Sequence, residues 1–296
     1  MSPAVATGPS TAQVLSGKDI AAELRGRNAR IVDELADIGI RVKLAVVVAT
    51  DDGSSHWYVR SIAMAAVRSG IDCEIVDLGA DASAELIRGT LTRLSGDSAV
   101  HGIILQTPLP SGVAQQDLTS EIDPVKDVDG ANPVSLGRLA AGMTAFPPAT
   151  AEAVLQILDH YEVELAGRQA VIVGRSTVVG VPVAHLLLAR HSTVTVCHSR
   201  TADLAEHTRR ADVLVVAAGR AGLITAEHLS SGTTVIDVGT NPTDDGGLAG
   251  DVHAAEAWPV VDALTPVPGG VGPVTTALLL AHTVEAAQAA VRRTAS

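Results

Sequence analysis

Ala170-Val171-Ile172-Val173-Gly174-Arg175-Ser176-Thr177-Val178-Val179-Gly180 is the stretch whose reading decides the fold. Its first five residues form a short β-branched run ending on glycine, the pattern of a buried strand, and an amphipathic helix follows the turn. Backbone N–H groups at the start of such a helix can meet a pyrophosphate. Ser176 stands where the second glycine of GxGxxG would be, so the motif draws its weight from its placement between strand and helix. An ordinary strand-to-helix turn is the plain alternative.

Three more runs of the same kind follow: Val194–Ser199, Val213–Gly219 and Thr234–Gly239. Short β-branched runs ending at Gly or polar residues predict a Rossmann-like sheet. In an NAD site an Asp or Glu usually ends the second strand and accepts the ribose 2′-OH. Here that end reads Cys197-His198-Ser199-Arg200-Thr201. A guanidinium and a hydroxyl suit a 2′-phosphate, which a carboxylate would repel, so the expected cofactor is NADP. The cofactor residues are then Gly174, Arg175, Ser176, Gly180, Ser199 and Arg200, with Gly219 and Thr240 near the ends of the later strands. Arg200 reads otherwise as a solvated surface residue.

Working back from this stretch, a second alternation occupies the N-terminal half. Helical periodicity covers Asp19–Leu35, a strand Leu44–Val48, a helix capped by Ser54 or Ser55 runs to Val67, and Gly70 stops it. Cys73–Gly79, a helix Ser83–Leu94, a strand Gly102–Gln106 and a short helix near Gln115–Ile122 complete the series. Such βαβα order predicts a parallel sheet covered on both faces. From Lys126 to Thr150 the period is lost among Gly, Pro and Asn, which places the crossing between domains there. A helix Ala151–His160 leads into the second series, and an Ala-rich helix, Val274–Val291, packs back on the first domain. The expected division is a substrate domain, 1–149, with helix 274–296 added, and a nucleotide domain, 150–273. The fold class is therefore α/β.

Composition narrows the function. A net charge of −12 with no run of Lys or Arg argues against nucleic acid and anionic membranes as partners. Aromatic residues make up 2% of the chain, so the core must be aliphatic, which favours α/β over a β-sandwich. Cys73 and Cys197 stand far apart outside any CxxC spacing, which suggests small core residues, no metal site and a reducing cytoplasm. Residues 1 to about 12 lack a signal-peptide pattern and read as a loose tail, and no later segment reads as a membrane span of ~20 apolar residues. His198 and Ser199 are adjacent on a strand and so face opposite sides, which excludes them as a base and nucleophile pair.

Several islands now stand in order: Tyr58-Val59-Arg60-Ser61, Gln106 with Pro108-Leu109-Pro110, Lys126-Asp127-Val128-Asp129-Gly130, GRSTVVGVP at 174–182, VTVCHSRT at 194–201, VIDVGTN at 235–241, GDV at 250–252 and TPVPGGVGP at 265–273. This set resembles the methylenetetrahydrofolate dehydrogenase/cyclohydrolase family from about Leu15 to Ala290. The resemblance implies a folate site on the first domain, a nicotinamide site on the second, hydride transfer across the cleft, and a homodimer. It also implies that Tyr58 borders the pterin, that Gln106 and Asp129 contact the folate, and that Pro108 and the segment with Gly269, Gly270 and Pro273 line the substrate site. Physical logic runs alongside: the Asp129 carboxylate can accept two N–H donors from an aminopterin edge.

Four residues after the tyrosine the family pattern has a lysine, one helical turn along the same face. This chain has Ile62. An alkyl chain can neither activate water nor hold charge, so cyclohydrolase activity is expected to be weak or absent while hydride transfer, which needs positioning, survives. Arg60 points some 200° away from Tyr58 on a helix of ~3.6 residues per turn. Of the three lysines, Lys18, Lys43 and Lys126, only Lys126 is placed near the cleft by its motif. Thr107, Ala131, Asn132 and the segment Pro147–Ala151 also depart from the family pattern. Two other readings therefore stay open: a relative repurposed for another substrate, and a catalytically silent NADP-binding protein.

Overall fold

The computed structural model describes residues 12–243 and 246–294; the expected loose tail falls almost wholly outside them. The elements in chain order are β1 (Gln13–Val14), α1 (Lys18–Asp37), β2 (Lys43–Val48), α2 (Gly53–Arg68), β3 (Asp72–Asp77), α3 (Ala84–Gly96), β4 (Gly102–Leu105), α4 (Gln115–Thr119), α5 (Pro133–Ala140) and α6 (Ala149–His160). There follow β5 (Gln169–Val173), α7 (Gly180–Ala189), β6 (Thr193–Cys197), α8 (Leu204–Thr208), β7 (Val213–Val216), β8 (Thr234–Asp237), β9 (Asn241–Pro242), β10 (Leu248–Ala249), α9 (Ala254–Ala257), β11 (Ala263–Leu264) and α10 (Val271–Thr294). The described residues form two compact units, one from Ala21–Ala149 with 275–294, the other from 12–20 with Thr150–Val274.

The first unit is built on a parallel sheet in the order β3-β2-β4. Central β2 is buried along Leu44–Val48, which is why it reads as a continuous apolar run rather than an alternation. Val47, Ile87, Leu91, Leu94, Ile103 and Leu118 pack into one aliphatic core on one side of this sheet. The cap of α2 is Asp52, not Ser54 or Ser55: its carboxylate accepts the Ser55 N–H at 2.8 Å and the hydroxyls of both serines. A carboxylate outcompetes a hydroxyl as acceptor at a helix N-terminus, and the serines become its donors. These bonds hold the Asp52 carboxyl down at about 2.

The second unit carries a sheet in the order β1-β11-β8-β7-β5-β6, parallel throughout. From β5 the chain steps outward to β6 and then back across to β7. The loops after β5 and β7 therefore diverge from a topological switch point, the place where open α/β sheets bind ligands. β1 and β11 escape a sequence reading because two residues carry no period.

Other differences have local causes. The aperiodic segment 126–150 contains α5, started by Pro133 and capped by Asn132, whose side chain accepts the Val134 N–H at 2.7 Å. α10 starts three residues before Val274, and α7 starts only at Gly180. Cys197 is buried as expected, but Cys73 is only half-buried, because β3 is an edge strand. α10 is long and apolar enough to cross a membrane by length and composition, contrary to the sequence expectation; 67% of that window is buried inside the protein, as in a core helix.

Gly102 opens β4 against α10: a Cβ there would stand 2.8 Å from Thr283 Oγ1 and 3.0 Å from a Val128 methyl. Gly102→Val is expected to lower unfolding free energy by roughly 1–3 kcal/mol, the ordinary cost of overpacking, as read by denaturant titration.

Candidate functional site

In the first unit, the turn Lys126–Asn132 is shaped by Asp127, a fully buried residue that the sequence reading passed over. Its two carboxylate oxygens accept the N–H groups of Ala131 and Asn132, each at 2.9 Å, and the Ser135 hydroxyl at 2.7 Å. Burial raises its pKa against the pull of these donors. Gly130 follows with φ +64, and a Cβ there would stand 2.4 Å from the Pro148 nitrogen, so only glycine fits. The Asp-x-Asp-Gly spacing was the available signal, since a buried acid filled by backbone N–H groups is a turn-building device.

Between these fixed residues stands Asp129. Among the described residues, no hydrogen bond to its carboxylate is found. Burial, and then the neighbouring Asp127 charge, push its pKa up to about 7, while His282 pulls it down. Tyr58 on α2 lies close enough for the Asp129 charge to raise the phenol's pKa further, after burial, while a bond with Thr276 lowers it. The phenol is neutral, a polar-tipped flat surface beside an acid.

Ile62, one turn along α2 from Tyr58, is fully buried. Gln106 follows β4; its backbone N–H donates to Val47 at 2.9 Å and its side-chain amide to the Thr107 carbonyl at 2.6 Å. The Ser55 hydroxyl also reaches the Thr107 carbonyl, at 3.2 Å, tying the start of α2 to the loop that holds exposed Pro108. The first unit thus brings Tyr58 and Asp129 together, with Ile62 buried one helical turn along α2 from Tyr58. Lys126 behaves differently from expectation: its amine donates to the Asp97 carbonyl at 2.7 Å, before β4 begins and so at the opposite end of that strand from Gln106.

In the second unit, the loops after β5, β6, β7 and β8 leave the same edge of the sheet, because all four strands run parallel. Gly174 has φ +136, and a Cβ on it would stand 2.2 Å from the Ala217 carbonyl oxygen; one on Gly180 would stand 2.2 Å from the Gly174 carbonyl oxygen. The two glycines let the start of α7 close onto the end of β5, the close approach that a phosphate-binding turn requires. Between them Arg175 and Ser176 are exposed, and the Ser176 hydroxyl accepts the Val179 N–H at 3.2 Å. Ser199 and Arg200 are exposed after β6, with the Arg200 N–H on His198 Nδ1 at 3.2 Å.

Gly219 and Thr240 belong to loops held by two buried acids that the sequence reading did not single out. Asp251 accepts the N–H groups of Ala218, Gly219 and Arg220 at 2.6–2.8 Å, and the Asn241 amide at 2.9 Å. Asp237 accepts those of Gly239, Asp251 and Val252, and burial raises its pKa to about 6. The GDV and VIDVGTN islands were their signal. Gly269 and Gly270 form the turn before α10, where Gly17 donates to the Gly269 carbonyl at 2.9 Å, and Pro273 lies in the helix's first turn. The lysine beside this turn is Lys18, whose Cε would lie 3.6 Å from a Cβ on Gly269. A cavity of about 430 Å³ beside β8 and β11, lined by Asp237, His253, Trp258 and Thr265 among others, touches none of the expected cofactor residues. No cluster of metal-ligating side chains occurs among the described residues.

The raised Asp129 pKa has a signed consequence. Below about pH 4 folded and unfolded chains both hold the proton. Between there and about 7 the unfolded chain releases a proton that the folded chain keeps, so stability falls as pH rises. The stability advantage of Asp129→Asn over wild type is expected to widen across that window and then level off, as measured by denaturant melts at a series of pH values.

Comparison with known proteins identifies the family. The tetrahydrofolate dehydrogenase/cyclohydrolase catalytic domain matches residues 15–129, and the NAD(P)-binding domain of the same family matches residues 148–291. The chain is 63% identical over 278 residues to bifunctional protein FolD 1 of Saccharopolyspora erythraea, covering 94% of this chain and 95% of that one. It is 62% identical to FolD 1 of Rhodococcus jostii, covering 92% of each. The structure matches that of the bifunctional FolD enzyme of Campylobacter jejuni with a TM-score of 0.91 at 37% identity, covering 94% of this chain and 99% of that one. It matches the Trypanosoma brucei dehydrogenase-cyclohydrolase complexed with NADP cofactor and inhibitor with a TM-score of 0.90 at 36% identity, covering 95% and 99%. This protein therefore belongs to the tetrahydrofolate dehydrogenase/cyclohydrolase family.

Proposed function

We propose that the protein is an NADP-dependent 5,10-methylenetetrahydrofolate dehydrogenase in which cyclohydrolase activity is weak or absent. Membership of the family supports the oxidoreductase half of this reading. The observation that carries the other half is Ile62, an alkyl side chain sealed in the core one turn from Tyr58, where ring opening by water calls for an amine. On this reading the unit containing Tyr58 and Asp129 takes the folate, and the unit containing the Gly174 turn takes the dinucleotide. The partner is a folate-type small molecule, the assembly a homodimer as in the family, and the compartment the cytoplasm.

Each part has a physical task. Asp129, with no hydrogen bond from the described protein, accepts a pair of N–H donors from the pterin edge, and that pairing favours its ionised form. Tyr58 offers a neutral ring for the pterin to lie against, and Gln106, with Pro108 beside it, borders the bound substrate. Gly269, Gly270 and Pro273 line the substrate, as in the family. The Gly174–Gly180 turn, with Arg175 and Ser176, holds the pyrophosphate, Ser199 and Arg200 the 2′-phosphate, and Gly219 and Thr240 border the rest of the cofactor. NADP supplies a carbon that accepts hydride from the substrate's methylene group. No lysine is needed for that transfer, which depends on alignment and exclusion of water.

Purified protein given methylenetetrahydrofolate and NADP is expected to form NADPH, while methenyltetrahydrofolate hydrolyses no faster than in buffer; brisk hydrolysis would overturn the reading. Ile62→Lys is expected to gain ring-opening activity at a cost in thermal stability, because it brings an ammonium into a buried position. Failure to gain it would point to Thr107, Ala131 and Asn132 instead. Arg200→Ala is expected to raise KM for NADP on the order of 10-fold or more, with KM for NAD almost unchanged, since a lost charge-assisted phosphate contact is worth about 1.5–3 kcal/mol.

A further inference from the structure

His282 lies on α10 inside the first unit, almost fully buried. Its Nδ1 stands 2.7 Å from the Val128 carbonyl oxygen. A carbonyl only accepts, so Nδ1 carries hydrogen in either charge state, and Nε2 is the nitrogen that gains or loses the proton. Val128 is the residue between Asp127 and Asp129, so the imidazole is fastened to the peptide that joins the two acids. Phe146 covers the ring, with centroids 4.9 Å apart and planes at 30°. Positive charge on this ring favours ionisation of both acids.

The groups that face Asp129 are Asp127 from its own turn, Tyr58 from α2 and His282 from α10. Asp127 opposes ionisation and Tyr58 carries no charge. With isoleucine at 62 and Arg60 exposed on another face of α2, the influence favouring ionisation of the acid pair comes from His282 on α10. A neutral amide could hold the Val128 carbonyl equally well, so the hydrogen bond alone does not call for imidazole at this position. The charge does.

We propose that His282 is a positioning residue for the dehydrogenase: it fixes the Val128 peptide, and its imidazolium keeps Asp129 available as a carboxylate for the N–H donors of the folate. This rests on the reading of Asp129 as the folate anchor. It assigns the chain an acid–base pair in which α10 and the Asp129 turn act together.

His282→Asn keeps an N–H donor for Val128 and removes the charge. In that variant the acid limb of kcat/KM for methylenetetrahydrofolate is expected to move about half to one pH unit higher, carried by KM, with kcat changed less than about 3-fold. NADP affinity, measured without folate, should stay within about 2-fold. A second measurement needs no substrate: a double-mutant cycle of Asp129→Asn and His282→Asn, read by denaturant unfolding near pH 7, where Asp129 is partly ionised, should be measurably non-additive, the coupling fading in acid, where Asp129 is protonated, and at alkaline pH, where an imidazole is neutral. An unshifted acid limb or an additive cycle would overturn the proposal. Should wild-type protein turn over no folate at any pH while the cycle is coupled, the functional reading fails and the His282–Asp129 pairing stands.

Discussion

A buried carboxylate filled by backbone N–H groups is the constraint on which the loop clusters of this protein depend. Asp127 gathers Ala131, Asn132 and Ser135 in one unit, while Asp251 and Asp237 gather the loops after β7 and β8 in the other. A loop at a strand end has orphan N–H groups that would otherwise need water. One carboxylate can satisfy several of them at once and fix their directions. The strength of such charge-assisted bonds is what allows these turns to be both irregular and rigid.

Asp129 gains its character from that rigidity. Held half-buried beside Asp127, it loses solvation and meets a like charge, and its pKa rises to about 7. A carboxyl poised there responds strongly to a ligand that presents N–H donors, because pairing and ionisation favour one another. The neutral phenol of Tyr58 and the imidazole of His282 set the remaining balance from two helices. Ile62, buried one turn along α2 from Tyr58, supplies no proton chemistry.

On the nucleotide side the decisive contacts are between backbones. Gly174 approaches the Ala217 carbonyl, and Gly180 approaches the Gly174 carbonyl, at distances no side chain could share. The residue that breaks the glycine pattern, Ser176, occupies a place where the structure leaves its side chain exposed. Its hydroxyl braces the turn by accepting from Val179, so the departure from the motif leaves the close approach intact.

By itself the sequence determined the α/β class, the two series of alternating elements and the family, because apolar period and the spacing of chemically particular residues are local properties. It placed most strands and helices within a few residues for the same reason. It could not reveal β1 and β11, which two residues each cannot announce, nor α5, whose start rests on an Asn132 cap within an otherwise aperiodic segment. Lys126 was expected near the cleft from its motif; the fold turns its amine to Asp97 instead. His282 was invisible for the opposite reason, lying more than 150 residues from Val128 in the chain and beside it in space. Tertiary structure alone decided which charges face one another, since electrostatic neighbours are chosen by packing and not by sequence distance.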